Sequence, residues 1–125
     1  MAKAVSRRFV LLRHTGHGPL HFDLMIEDGA ALATWQFDLS PTLLASGTAV
    51  ACRRLAAHRI AYLDYAGPVS RGRGQVHRTA AGICTLHFAT AADWDFELDS
   101  PTLNGRFRLQ HLTGFAWSLT KLAAT

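Results

Sequence analysis

LHFDLMIEDGAALATWQF, residues 20–37, decides the fold. Its first half alternates strictly. Leu20, Phe22, Leu24 and Ile26 fall on one side, and His21, Asp23, Met25 and Glu27 on the other. That is the period of two that a strand imposes on its side chains. Asp28-Gly29 then offers the positive backbone angles of a tight hairpin turn, and ALATWQF returns as the partner strand.

The same period runs outward in both directions. RRFVLLRH (7–14) precedes the stretch and GTAVACRRL (47–55) follows it. WDFELD (94–99) sets Trp94, Phe96 and Leu98 against Asp95, Glu97 and Asp99, with Asp93 before them. GRFRLQHL (105–112) sets Phe107 and Leu109 against Arg106, Arg108 and Gln110. FAWSLTKL (115–122) gathers Phe115, Trp117, Leu119 and Lys121 on one side. GQVHRT (74–79) and ICTLHFAT (83–90) flank Ala80-Ala81-Gly82, which reads as the turn of another hairpin. About eight short strands at this spacing predict a mainly β protein, a small antiparallel β-barrel, as a single domain over residues 1–125. Helix is expected only as one or two short segments, the best candidate being RRLAAHRIAYL (53–63). Ser40-Pro41 and Ser100-Pro101 mark loops. Trp35, Trp94 and Trp117 are expected in the core.

Composition agrees. A chain of 125 residues, 49% hydrophobic and 18% charged, can bury a core and is not a disordered one. No apolar run reaches the length of a membrane span. The FVLL patch after the basic N-terminal residues is too short for a secretory signal. A soluble, cytoplasmic protein is expected, with Cys52 and Cys84 as free, buried thiols. The net charge is +4, and eleven of the thirteen basic residues are arginine. Arginine forks match phosphate oxygens. The pairs Arg7/Arg8, Arg53/Arg54, Arg71/Arg73 and Arg106/Arg108 therefore fit a nucleic-acid partner, although charge alone fits a solvated face equally well.

Two clusters carry candidate chemistry. Period two sets His21 beside Asp23 on the polar face of their strand, close enough to share a cation. His14 ends the preceding strand, and the connection can fold it back onto that pair. Two imidazoles and a carboxylate would leave coordination positions open, as a catalytic divalent site requires. The donors suit Mn, Fe, Zn or Ni without choosing among them. His17, in the glycine-rich connection, competes with His14. The pattern alone also describes an ordinary solvated strand. The second cluster is HRIAYLDYAGPVSRGRG (58–74). His58 and Tyr62 are spaced for one helical turn, and Arg71 and Arg73 sit among glycines whose N–H groups can approach a phosphate. On its own this segment also reads as a surface turn. His77, His87 and His111 read as surface or packing residues.

The order of these pieces resembles the 3′-phosphoesterase domain of the bacterial and archaeal DNA ligase D family. It runs FVLLRH, LHFDLMIEDG, Thr34-Trp35, HRIAYLDYAG, a glycine-rich turn and WSLTKL. The resemblance covers about residues 8 to 122. It implies a small β-barrel with a surface groove that uses Mn²⁺ to trim DNA 3′ ends. Such domains remove a terminal ribonucleoside and then the 3′-phosphate, leaving a hydroxyl for a polymerase or ligase in non-homologous end joining. By the same resemblance His14, His21 and Asp23 are the metal ligands. His58 contacts the phosphate and Tyr62 is its partner.

The sequence departs from that pattern at several points. Met25 stands where the family carries a phosphate-contacting arginine, and Leu12 where it carries glutamine. Gln36, Phe37 and Asp38 follow Trp35 without the family's lysine, and Tyr65-Ala66-Gly67 replaces an aromatic-glutamate-glycine. Arg13, Arg54, Arg71 and Arg73 are the candidates to grip phosphate instead, and Glu27 a candidate to support the ligands. The expected partners are primer-template DNA 3′ ends, with a ligase, polymerase or Ku-type end-joining protein acting in trans, and no membrane. Two other functions compete. One is a DNA-end-binding module of the same fold without turnover, suggested by Met25 and Leu12. The other is a cupin-like small-molecule metalloenzyme, suggested by His21, Asp23 and Glu27 but lacking the second cupin motif. Zn²⁺ or another transition metal could replace Mn²⁺ in any of these.

Overall fold

The computed structural model describes residues 4–123. It contains nine strands: β1 (Val5–Thr15), β2 (His21–Asp28), β3 (Ala31–Phe37), β4 (Ala49–Arg59), β5 (Gly67–Pro68), β6 (Gln75–Ala89), β7 (Asp93–Asp99), β8 (Gly105–Thr113) and β9 (Ala116–Lys121). Eight of them form a closed antiparallel barrel in the order β1-β2-β3-β4-β9-β8-β7-β6, and β6 pairs back onto β1. Closure leaves no long edge to pair with another chain. The short β5 adds to β6 through Gly67 and Pro68. Helix is confined to 3₁₀ turns at Pro41–Leu43 and Ile60–Leu63 among the described residues. No helix there is long and apolar enough to cross a membrane.

The expected hairpin at Ala80-Ala81-Gly82 is not one. β6 runs through it as a single strand paired with β1 along its length. Small residues are needed here for approach, not for turning. Ala80 is buried in the barrel core, and a Cβ on Gly82 would overlap the Asp99 carbonyl. The register slips between Leu11 and Leu12, where Thr79 is the extra residue of a bulge. Merging the two predicted strands is what brings nine sequence segments down to eight barrel strands.

Two apolar clusters hold the fold. The larger fills the barrel with residues that include Phe9, Leu24, Trp35, Trp94, Phe107 and Trp117. All three tryptophans are there, as expected. Trp35 meets Trp94 and Trp117 edge to face at 4.9 and 5.7 Å, the geometry aromatic quadrupoles favour. Cys52 and Cys84 are free and buried in the same cluster, and burial pushes both thiols up to about 12. The smaller cluster lies outside the barrel wall. Val10, Leu12, Met25, Leu32, Leu63 and Val76 form it, with Tyr62 and Val69 packed against them. It exists because residues 60–74 cross the outer face of β1 and β2. Strands that elsewhere alternate core with solvent are there buried on both faces.

The arginine pairs are mostly committed to this framework. Arg106 reaches Asp95 at 2.9 Å and Arg108 reaches Asp93 at 3.2 Å across the β7–β8 ladder. Arg8 holds Asp64 at 2.7 Å, tying the crossing segment to β1, and Arg7 lies 3.7 Å from Asp28. Two of the acids on β7 are thus paired with arginines of β8.

Candidate metal centre and its cleft

Antiparallel register builds the site. His14 of β1 lies opposite His21 of β2, and Asp23 sits two residues further along β2. Phe22 and Leu24 point into the barrel, so His21 and Asp23 face outward, toward the second apolar cluster. His14, His21 and Asp23 each offer a ligand atom, all within 4.8 Å of one another, and the group could hold a metal ion. Two ligands of one ion, each about 2.1 Å from it, lie at most about 4.2 Å apart. Small side-chain rotations are therefore enough to converge on it. His21 Nε2 is 3.6 Å from Asp23 Oδ2, and the rings of His14 and His21 are 4.7 Å apart. His17 stacks on His14 at 6.1 Å but is not in the ligand group.

Backbone carbonyls orient the imidazoles. His21 Nδ1 donates to the Pro19 carbonyl at 3.1 Å, leaving Nε2, the nitrogen nearest Asp23, with its lone pair. His14 Nε2 donates to the Arg73 carbonyl at 2.6 Å, leaving Nδ1 as the lone-pair nitrogen. Fixing one nitrogen to choose the other is how proteins prepare histidine for a metal. The Arg73 contact depends on close backbone packing. Gly74 has φ +79°, and a Cβ there would overlap the Thr15 carbonyl.

Asp23 is the residue hardest to explain without a cation. It is 4% exposed, and its Oδ1 has no hydrogen-bond partner. Burial raises its carboxyl above the usual range, against the opposing pull of His21, His58 and His14. A buried, unpaired carboxylate oxygen is costly. A divalent ion shared with two neutral imidazoles would satisfy it, so this donor set fits a metal.

A cleft of about 430 Å³ opens over the three residues. His58 and Tyr62 line it, their rings edge to face at 5.9 Å. They do not share a helical turn, as their spacing suggested. β4 continues through Arg59, and only then does the 3₁₀ turn of Ile60–Leu63 begin. The contact forms across that junction. His58 Nδ1 donates to the Ala56 carbonyl at 3.0 Å, which leaves Nε2 free.

The remaining sequence candidates separate. Arg73 lines the cleft, with its guanidinium on Ser70 Oγ and the Ser70 carbonyl. Arg13 is exposed and does not line it; nor does Arg71, whose φ of 63° places it in the turn. Arg54 points elsewhere, its guanidinium 4.8 Å from Trp35 and 5.4 Å from Trp117 at the barrel mouth. Glu27 accepts the Arg8 backbone N–H and lies outside the cleft. Leu12 and Met25 belong to the same outer apolar cluster, and Met25, 2% exposed, forms part of the cleft floor.

Sequence reasoning missed two polar residues here. Gln36 pairs with Asp23 from β3 and lines the cleft, as does Arg59 at the end of β4. Alternation along ALATWQF could have found Gln36, because it shares the outward face with Thr34. Nothing local marks Arg59. The barrel interior is filled by the large apolar cluster, and His21 lies on the outer face, so the arrangement is not that of a cupin cavity. No protein-family model matches this chain, and no curated protein matches its sequence.

Proposed function

We propose that the protein is a metal-dependent phosphoesterase acting on nucleic-acid 3′ ends. On this reading it removes a terminal ribonucleoside and then the 3′-phosphate, leaving a 3′-hydroxyl for end joining or repair in the cytoplasm. The observation that carries the reading is Asp23: a buried carboxylate with an unpartnered oxygen, flanked by two oriented imidazoles, on the floor of an open cleft. The sequence resemblance to the ligase D phosphoesterase domain supplies the substrate. Mn²⁺ is the proposed ion, with Zn²⁺ the principal alternative.

When bound, such an ion polarises phosphoryl oxygens and lowers the pKa of a bound water. The chain's own residues do the rest. His14, His21 and Asp23 hold the ion and leave its cleft side open. His58, anchored through Nδ1, presents Nε2 to the phosphate, where its protonated form stabilises developing charge or protonates the leaving oxygen. Tyr62 fixes the ring of His58 by edge-to-face packing. Arg59 and Arg73, the arginines that line the cleft, take the phosphate-seating role that Met25 cannot perform.

A second reading is a DNA-end-binding module without turnover, with a ligase, polymerase or Ku-type protein supplying the chemistry. The burial of Leu12 and Met25 in apolar packing favours it. Release of inorganic phosphate from a 3′-phosphorylated primer-template separates the two. The phosphoesterase reading expects Mn²⁺-dependent release that is lost in His21→Ala. Absence of release with every divalent ion, or release undiminished in His21→Ala, overturns it. Salt-sensitive binding of recessed 3′ ends without product would select the second reading.

A further inference from the structure

Beside the three candidate ligands stands a group that the proposed mechanism does not use. Gln36 of β3 lies directly opposite Asp23 of β2 and lines the cleft, half-buried. Side chains directly opposite in an antiparallel pair have Cβ atoms about 4.5–5.5 Å apart, so the Gln36 carboxamide rises next to the Asp23 carboxylate. β1, with His14, flanks β2 on its other side. His58 pairs with Leu32, four residues back along β3 from Gln36. Gln36 and His58 therefore reach the centre from different directions. The next outward residue of β3, Thr34, is buried with its hydroxyl donating to the Leu32 carbonyl at 3.0 Å. The Gln36 carboxamide has no such protein partner among the described residues, and the space beside it is the open cleft.

Its chemistry differs from that of its neighbours. Arg59 and Arg73 only donate, which suits phosphate oxygens that only accept. His14, His21 and His58 each commit one nitrogen to a backbone carbonyl. Asp23, when ionised, only accepts. A carboxamide offers donor and acceptor side by side without charge. The matching group on a nucleic-acid end is a sugar hydroxyl, and the 2′-hydroxyl of ribose both donates and accepts. Tyr62 also offers a hydroxyl to the cleft, but it sits on the crossing segment with its ring between those of His58 and Tyr65. Gln36 is the one that adjoins Asp23 in the sheet.

We infer that Gln36 reads the 2′-hydroxyl of the sugar that carries the processed phosphate, and so sets a preference for ribose over deoxyribose at that position. The inference deepens the phosphoesterase reading and rests on it for placing the phosphate at the ion. The 2′-hydroxyl is on the carbon next to the one that bears the 3′-phosphate. A phosphate seated over His14, His21 and Asp23 therefore brings that hydroxyl within reach of an adjoining side chain. The same sugar carries the phosphate in both proposed steps, before and after the terminal ribonucleoside leaves. Sugar and phosphate stay accessible while the bases are paired, so the contact suits a recessed, paired 3′ end. A deoxyribose end leaves the carboxamide without its partner and is disfavoured for that reason. Gln36 is half-buried, so water replaces the lost partner in part and the expected factor is about tenfold.

The test uses primer-templates with a paired, recessed 3′ end that bears a 3′-phosphate. The phosphate-bearing sugar is ribose, 2′-deoxyribose or 2′-fluororibose, the last keeping a ribose-like pucker without the hydroxyl. Phosphate release by the full chain with Mn²⁺ gives kcat/KM, and anisotropy in the His58→Ala background gives affinity. Wild type is expected to favour ribose about tenfold over the other two in kcat/KM, and the His58→Ala chain to do so in affinity. Gln36→Leu should bring the ribose end down to the deoxyribose level and leave the deoxyribose end where it was. A purely structural role would lower both ends alike. Mn²⁺ affinity and melting temperature should be unchanged in Gln36→Leu. Equal handling of ribose and deoxyribose before any change at Gln36 overturns the inference whatever the variant does, and so does a preference that survives in Gln36→Leu. Phosphate release without that preference removes the reader and leaves the phosphoesterase standing. A preference in binding that Gln36→Leu abolishes, in a chain that releases no phosphate, supports the reader and removes only the turnover. Binding of none of the three ends overturns both.

Discussion

Two aspartates are buried in this barrel, and they are buried for different reasons. Asp95, 6% exposed, lies on β7 with the Arg106 guanidinium 2.9 Å from its Oδ1. Asp23, 4% exposed, lies on β2 with three histidines around it and no partner for its own Oδ1. The first is a finished structural pair: arginine supplies a permanent charge and a directed donor. The second is unfinished. No donor reaches its Oδ1, and burial pushes its carboxyl upward despite the surrounding histidines. A strand that needed only stability would place a neutral residue there. The contrast fits Asp23 to the proposed role of ligand and Asp95 to that of a brace.

Substitution by asparagine should break this contrast most sharply. Asp23→Asn keeps the shape and removes the charge. Turnover on a 3′-phosphate substrate should fall to background, yet the metal-free protein should melt at or above the wild-type temperature, because no unpaired carboxylate remains buried. Asp95→Asn should do the reverse, lowering Tm by a few degrees through loss of the charge-assisted bond to Arg106 while leaving turnover near wild type. If both variants lose stability and activity together, the distinction between ligand and brace fails.

Gly74→Ala probes the support beneath the site. A methyl group there collides with the Thr15 carbonyl at a positive φ, so a cost of about 1–3 kcal/mol is expected from backbone strain. Displacing the Arg73 carbonyl frees the His14 ring, and metal affinity should fall by about 10–100-fold. Calorimetric titration of Mn²⁺ into the folded variant checks this. Unchanged affinity would mean that the carbonyl does not orient His14.

The smallest effect is expected at Asp64, which is exposed and paired with Arg8 at 2.7 Å. Arg8 lowers the Asp64 carboxyl below its ordinary 3.8. A lowered acid stabilises the fold above the unfolded-state value and loses that contribution as pH falls through the folded-state value. Asp64→Asn should therefore lower Tm only slightly at neutral pH, with the gap to wild type closing in strong acid and in high salt. A gap that widens in acid would show that another group carries the effect.

Much of this was legible in the chain. Period two in residues 20–37 and 94–122 gave the barrel and its tryptophan core, and it set His21 and Asp23 on one face. What was hidden depended on contacts distant in sequence. Ala80-Ala81-Gly82 resembles a turn in isolation, but its small side chains let β1 and the end of β7 come close to β6. Met25 and Leu12 look like exposed positions on alternating strands. They are buried because residues 60–74 fold over them. Arginine pairs promise a phosphate surface when counted, yet Arg106 and Arg108 are held by aspartates and Arg54 sits against the tryptophans. Arg59 reaches the cleft at the end of β4, through the pairing of β3 with β4, which no local pattern encodes.

The most direct measurement is a Mn²⁺ titration of wild type, Asp23→Asn and Asp95→Asn, followed by the loss of the free-ion electron paramagnetic resonance signal. One ion bound per chain in wild type and Asp95→Asn, and none in Asp23→Asn, is the predicted result. An ion bound equally by all three, or by none, would contradict the assignment of His14, His21 and Asp23 as a metal centre.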